Sequence, residues 1–187
     1  MNIKNFNDWL LSKKKRSLIM GILNVTPDSF SDGGDYFEKN LAVDYALKMV
    51  DQGADIIDIG GESTRPFSDP VSFEEEISRV IPVIESIRKN SDVCISIDTT
   101  KSKVALAALE SGASFINDIS AMEIDPAMVN VALKFDCPLV LMHMKGIPKN
   151  MQDNPKYKSL INDIKKYLLK RIDFAISKGI DLSLIHI

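Results

Sequence analysis

Six short runs of apolar residues punctuate the chain, each with the length of a strand rather than a helix. They are Leu18–Leu23, Asp55–Ile59, Val93–Ile97, Ser114–Ile116, Leu139–Met142 and Leu182–Ile187. They are nearly continuously apolar and rich in Ile and Val, which predicts strands covered on both faces, as in a parallel sheet. Between them the period lengthens. Val43, Ala46, Leu47 and Val50 follow helical spacing, with Gly53 as a stop. Ile77, Val80, Ile81, Ile84 and Ile87 repeat it after a capping pattern at Ser72 and Glu75, and Pro82 predicts a kink or boundary. A third helix spans Val104–Leu109 and ends at Gly112. A fourth follows Asp125-Pro126 and reaches about Phe135. The longest runs from about Tyr157 to Lys178, with Leu160, Ile164, Leu168, Ile172 and Ala175 on one face.

Alternating strands and helices imply an α/β fold with a parallel sheet and right-handed crossovers. The candidates are a (β/α)8 TIM barrel and an open doubly wound sheet. No Gly-x-Gly-x-x-Gly follows the first strand, which counts against a dinucleotide fold. Polar residues instead mark the carboxyl end of successive strands: Asn24, Asp58 to Arg65, Asp98, Asn117-Asp118 and His143. Sites assembled from many strand ends are the habit of the barrel. The chain supplies five β-α units and a sixth strand, and stops inside the apolar run Leu184–Ile187. The expectation is a lead-in over 1–16 followed by a C-terminally incomplete barrel domain over 17–187. Such a barrel would expose strand edges at Leu18–Leu23 and Leu182–Ile187 and would tend to aggregate.

Composition narrows the function. The 187 residues are 45% hydrophobic and 26% charged, enough for one good-sized core. Net charge is −3 and the only basic run is Lys13–Arg16, which argues against a nucleic-acid partner. No segment approaches the ~20 apolar residues of a membrane span, and the first eight residues are too polar for a signal peptide. Cys94 and Cys137 sit in or beside strand-like runs and read as reduced core residues of a cytoplasmic protein.

Two polar segments carry the chemistry. The first, Asn24 to about Lys39, is longer than the ~2–6 residues of an ordinary strand-to-helix connection. Asn24 is a hard oxygen donor of the kind Mg²⁺ takes beside substrate phosphates. The second is Gly60-Gly61-Glu62-Ser63-Thr64-Arg65-Pro66, whose glycines allow close backbone approach to a ligand and whose Arg65 offers a fork for an anion. Asp98 is either a site carboxylate or a helix cap beside Thr99 and Thr100. Asn117-Asp118 is either a site pair or a turn. His143, between two methionines, reads as a packed residue. Asn and Asp side chains together can pair with the edge of a nitrogen heterocycle. Zinc-type His/Cys spacing and hydrolase triads are absent.

The segments Gly21–Gly34 and Gly53–Pro66 resemble the two signature segments of the dihydropteroate synthase family. Ser96–Thr99, Ile116–Ile119 and Leu141–Met144 match its pattern in the same order, so the resemblance runs from about residue 17 to the end. It implies a pterin-binding (β/α)8 barrel that condenses 6-hydroxymethyl-7,8-dihydropterin diphosphate with p-aminobenzoate, yielding dihydropteroate and diphosphate for folate synthesis. It also implies departure of diphosphate before attack by the aryl amine, and inhibition by sulfonamides. By resemblance Asn24 ligates Mg²⁺. Thr64, Asp98, Asn117 and Met142 bind the pterin diphosphate. Phe30, Thr64, Arg65 and Pro66 form the p-aminobenzoate side, and Asp98 and Arg65 are catalytic. The resemblance implies a homodimer for the full-length protein, and the expectation for this chain is a cytoplasmic location with no membrane or nucleic-acid partner.

The family's later Asp-Pro-Gly segment, Lys, Ser-Arg pair and Arg-x-His motif have no counterpart here. The 187-residue chain alone is therefore expected to have little or no synthase activity. Two rivals share the fold: a noncatalytic pterin-binding paralogue, and a methyltetrahydrofolate-dependent corrinoid methyltransferase. The second has no need of a diphosphate loop at Asn24–Gly34.

Overall fold

A computed structural model describes residues 1–26, 35–63 and 70–187, with side chains omitted for 35–38. The strands are β1 (Met20–Asn24), β2 (Ile56–Gly60), β3 (Cys94–Asp98), β4 (Phe115–Asp118), β5 (Leu139–Leu141) and β6 (Ile185–His186). All neighbours are parallel, and the order across the sheet is the order along the chain. A doubly wound sheet reverses its order at a switch point. This sheet does not, and it matches the first six strands of a (β/α)8 barrel.

Helices α2 (Asp35–Asp51), α3 (Phe73–Asn90), α4 (Ser102–Glu110), α5 (Met128–Phe135) and α6 (Leu160–Ser177) connect successive strands. Strand residues alternate between two faces. Ile57, Ile59, Ile95, Ile97, Ile116 and Leu139 face the helices and join one core with Ala46, Ile84, Ala108 and Met128. Ile56, Cys94 and Phe115 face the other way, into the lumen, where they form a second cluster. Both cysteines are buried and unbonded, and burial pushes the Cys137 thiol up to about 12.

Pro82 makes no boundary, since α3 runs through it from Phe73 to Asn90. The capping is as read, with the Glu75 amide donating to Ser72 Oγ at 3.1 Å. A proline inside a helix costs roughly 3 kcal/mol. Val80, Val83, Ile84 and Ile87 are essentially fully buried, and each returns about 1.5–3 kcal/mol. Packing therefore outweighs the broken ladder. The long face read on α6 is less deeply covered: Ala175 is buried, but Leu160 is exposed.

The lead-in holds a helix that was not anticipated, α1 (Ile3–Leu11). Asn2 caps it, accepting from the Asn5 amide at 2.9 Å. Its Phe6 is buried at the amino end of the strands and stacks on Phe115, ring centroids 5.2 Å apart. The Cys94 amide donates to the Met1 carbonyl at 2.7 Å. Arg16 then forks onto Asp55 at 2.7 and 2.5 Å, and these hydrogen bonds hold the Asp55 carboxyl below its ordinary range. The Ile19 amide also reaches Asp55, at 3.1 Å, fixing the entry into β1. β1 and β6 form the two sheet margins, and Ile22 is 64% exposed.

Candidate active site

The parallel register lines up Asn24, Gly60, Asp98 and Asn117 across four strand ends. Asn117 lies two residues after Phe115, so it shares the lumen face. Gly60 separates Asn24 from Asp98. A β-carbon there would stand 3.5 Å from Asp98 Oδ2 and 3.7 Å from Asn24 Oδ1. Two side chains from β1 and β3, Asn24 and Asp98, thus flank one bare backbone position, and Asn117 stands in register with Asp98 on β4. Met142 follows β5 directly, half-buried, with its amide donating to the Asp118 carbonyl at 3.4 Å. Phe30, Thr64, Arg65 and Pro66 lie outside the described residues.

The two open readings at the strand ends resolve differently. Asp98 caps nothing. Thr99 Oγ1 accepts from the Lys101 amide at 3.2 Å, and the first residue of α4, Ser102, donates to Asp125 Oδ2 at 2.8 Å. Asp98 Oδ1 is buried without a hydrogen-bond partner. Burial first, then repulsion from Asp58, Glu76, Asp118 and Glu62, pushes its carboxyl up to about 7. A buried acid held near neutrality with an unpartnered oxygen is a functional-site candidate. The Asn117-Asp118 pair divides by face. Asp118 is the turn residue, accepting from the Ser120 amide and hydroxyl at 2.8 Å and the Met122 amide at 2.7 Å. That grip holds Ala121 and Met122 at φ of 50° and 63°. Asn117 remains for the lumen. His143 lies between the rings of Tyr157 and Tyr167, at 5.8 and 4.9 Å, a packed position as read.

Two groups had no role in the sequence reading. Asp58, in mid-β2 and 5% exposed, accepts from the Ser96 hydroxyl and from Asn117 Nδ2, the latter at 3.0 Å. Burial raises its pKa against those two hydrogen bonds. The signal was an acid flanked on both sides by isoleucine within the run Asp55–Ile59. The second group is Lys101, whose Nζ bridges Glu62 and the wholly buried Glu76, the latter at 2.5 Å. Lys101 thereby ties the loop after β2 to α3. Gly61 serves the same join: a β-carbon would come 2.8 Å from Val80 Cγ1 and 3.2 Å from the Glu76 carbonyl. The close approach at Gly61 is thus to α3. A cavity of about 420 Å³ opens beside these residues, lined among others by Glu62, Asp98, Thr99, Lys101 and Ile124.

Removing Lys101 would strand the Glu76 carboxylate. Lys101→Met is expected to destabilise the chain by about 1–2 kcal/mol, less than a fully buried pair would lose because Lys101 and Glu62 keep partial contact with water. Urea melts of the single variant and of Lys101→Met/Glu76→Gln check this. The second substitution should restore most of the loss.

Among the described residues no group of three or more His, Cys, Asp or Glu side chains could hold a metal ion. The exposed amide of Asn24 at a strand end suits a cation held mainly by water and ligand oxygens, which is how Mg²⁺ binds. No described helix is long and apolar enough to cross a membrane.

A parallel barrel-type sheet with a polar site across its carboxyl strand ends defines a class, and the comparisons agree with it. Residues 20–187 match the model of the family described as pterin binding enzyme, and the chain belongs to that family. Within it the chain is dihydropteroate synthase-like. It is 50% identical over 171 residues to the dihydropteroate synthase of Bacillus subtilis, covering 91% of this chain and 58% of that protein. It is 49% identical over 166 residues to that of Clostridium beijerinckii, covering 89% and 59%. The structure of Xanthomonas albilineans dihydropteroate synthase with 4-aminobenzoic acid superposes with a TM-score of 0.83 at 42% identity, covering 91% of this chain and 60% of that one. The chain spans about three-fifths of the length of the dihydropteroate synthases it matches.

Proposed function

We propose that this chain carries the pterin-binding part of a dihydropteroate synthase, which joins 6-hydroxymethyl-7,8-dihydropterin diphosphate to p-aminobenzoate. The observation that carries the reading is the row of Asn24, Asp98 and Asn117 at the ends of β1, β3 and β4, with one buried Asp98 oxygen left unpartnered. Carboxylate and amide oxygens accept hydrogen bonds from the N–H groups of a pterin ring. A ligand N–H, or positive charge developing on the pterin, draws Asp98 into its ionised form.

Asn24 would supply one oxygen to Mg²⁺, which when bound neutralises charge on the departing diphosphate. Met142 offers an apolar wall to the ring. Thr64 for the diphosphate substrate, and Phe30, Arg65 and Pro66 for p-aminobenzoate, belong to the same reading. So do a cytoplasmic setting and a homodimer for the whole protein.

Calorimetric titration of the chain with 6-hydroxymethyl-7,8-dihydropterin diphosphate and Mg²⁺ tests the proposal. Saturable one-site binding is expected. Its absence overturns the reading. Labelled p-aminobenzoate added to the same mixture reports turnover, expected to be very low for this chain.

A further inference from the structure

We infer that Asp58 is a positioning residue for the pterin site: it holds the Asn117 amide in one orientation, so that Asn117 presents its oxygen to the ligand. The inference rests on the function proposed above and assigns a role to a residue outside the set read from the sequence.

Asp58 sits one layer below the row of strand ends, in register with Ser96 on β3 and Ile22 on β1. Ile56 and Cys94 lie beneath it on the lumen face and cluster with Phe115 and Phe6, so its surroundings there are apolar. A buried carboxylate in such a place is costly unless its hydrogen bonds matter. No cation is paired with it among the described residues. Its partners are the Ser96 hydroxyl and Asn117 Nδ2.

An ionised carboxylate only accepts hydrogen bonds. Asn117 must therefore turn its NH₂ toward Asp58, and its Oδ1 is left for other use. With no acid below it, the same amide could rotate by half a turn and present donors instead. Ser96 occupies the other carboxylate oxygen and keeps Asp58 from swinging away.

Asp98 stands in register with Asn117 on the next strand and contributes the unpartnered Oδ1. The site thus presents two acceptors side by side. That arrangement selects a ring edge with neighbouring N–H donors and disfavours one with neighbouring acceptors. Asp58 sets half of this choice without touching the ligand.

The test uses two readouts. In the wild-type chain without ligand, NMR should show scalar coupling across the hydrogen bond from Asn117 Nδ2 to Asp58 Cγ. Its absence overturns the inference. Binding of 6-hydroxymethylpterin by calorimetry should weaken about 10-fold in Asp58→Asn, as expected when a buried orienting partner is lost. The charge-conserving swap Asp58→Asn/Asn117→Asp rebuilds the bond with donor and acceptor exchanged. It again leaves an oxygen for the ligand, so affinity should return to within about 3-fold of wild type. Wild-type affinity in Asp58→Asn, or a swap as weak as the sum of its single variants, overturns the inference. If Asp58→Asn does not fold, the coupling and the swap still decide. A wild-type chain that binds no pterin counts against the proposed function alone, because the coupling is read without ligand.

Discussion

Asp98→Asn is expected to stabilise the chain while abolishing pterin binding. In the fold the Asp98 carboxyl is held at about 7, against an ordinary value near 4. Between those two values the folded chain keeps a proton that the unfolded chain has lost. Stability therefore falls as pH rises from about 4 to 7, and the full penalty persists above 7. Asparagine is neutral throughout and nearly isosteric. Its advantage should be negligible at pH 4, grow toward 7, and reach on the order of 2–4 kcal/mol at pH 8. Thermal melts of both proteins across that range check it, and an advantage independent of pH would contradict it. The ligand titration should move the other way, with the variant showing no saturable pterin binding. Wild-type binding near pH 7 should release a fraction of a proton, since ligand donors favour the carboxylate. Titration in buffers of different ionisation enthalpy measures that fraction. A residue whose removal improves the fold and ruins binding is one kept for function.

Phe6→Ala is expected to cost about 3–5 kcal/mol, a large share of the roughly 5–15 kcal/mol that holds a domain together. Phe6 is buried among Ile56, Cys94 and Phe115 and stacks on both Phe115 and Trp9. Truncation opens a cavity that the strands cannot collapse to fill, because their spacing is set by the parallel ladder. Urea denaturation should show the loss, with Phe6→Leu recovering part of it. Leu11, 80% exposed on the same helix, is the control: Leu11→Ala should stay within about 0.5 kcal/mol of wild type. Phe6 thus anchors α1 under the amino ends of the strands, within residues 1–16 that the sequence marked only as a lead-in. The helical spacing is present in the sequence: Ile3, Phe6 and Leu10 stand at i, i+3 and i+7 behind the Asn2 cap. What so short a segment does not show is the Phe115 ring on which it docks.

What was legible in the sequence and what was not separates along a physical line. Strands covered on both faces must be apolar at nearly every position, so β2, β3 and β5 stand out within a residue or two of their observed ends. The helices of the barrel wall declare themselves by period, and Gly53, Gly112 and Gly179 all take the positive φ that a helix stop requires. The chemistry-bearing residue types at strand ends, and the family they resemble, follow from local order alone. Local order does not say which of several acids faces the lumen. Asp58, Asp98 and Asp118 are alike in sequence: each lies in or at the end of an apolar run. The tertiary structure bonds one to Asn117, leaves one with an unpartnered buried oxygen and has one tie a turn. The bonds that decide this join residues 59 and 38 positions apart, Asn117 and Ser96 to Asp58. They exist only because the parallel register turns alternate side chains of β2, β3 and β4 onto the same face of the sheet. Strand identity is a property of each segment's own residues, whereas the role of a carboxylate depends on what the neighbouring strands bring to it.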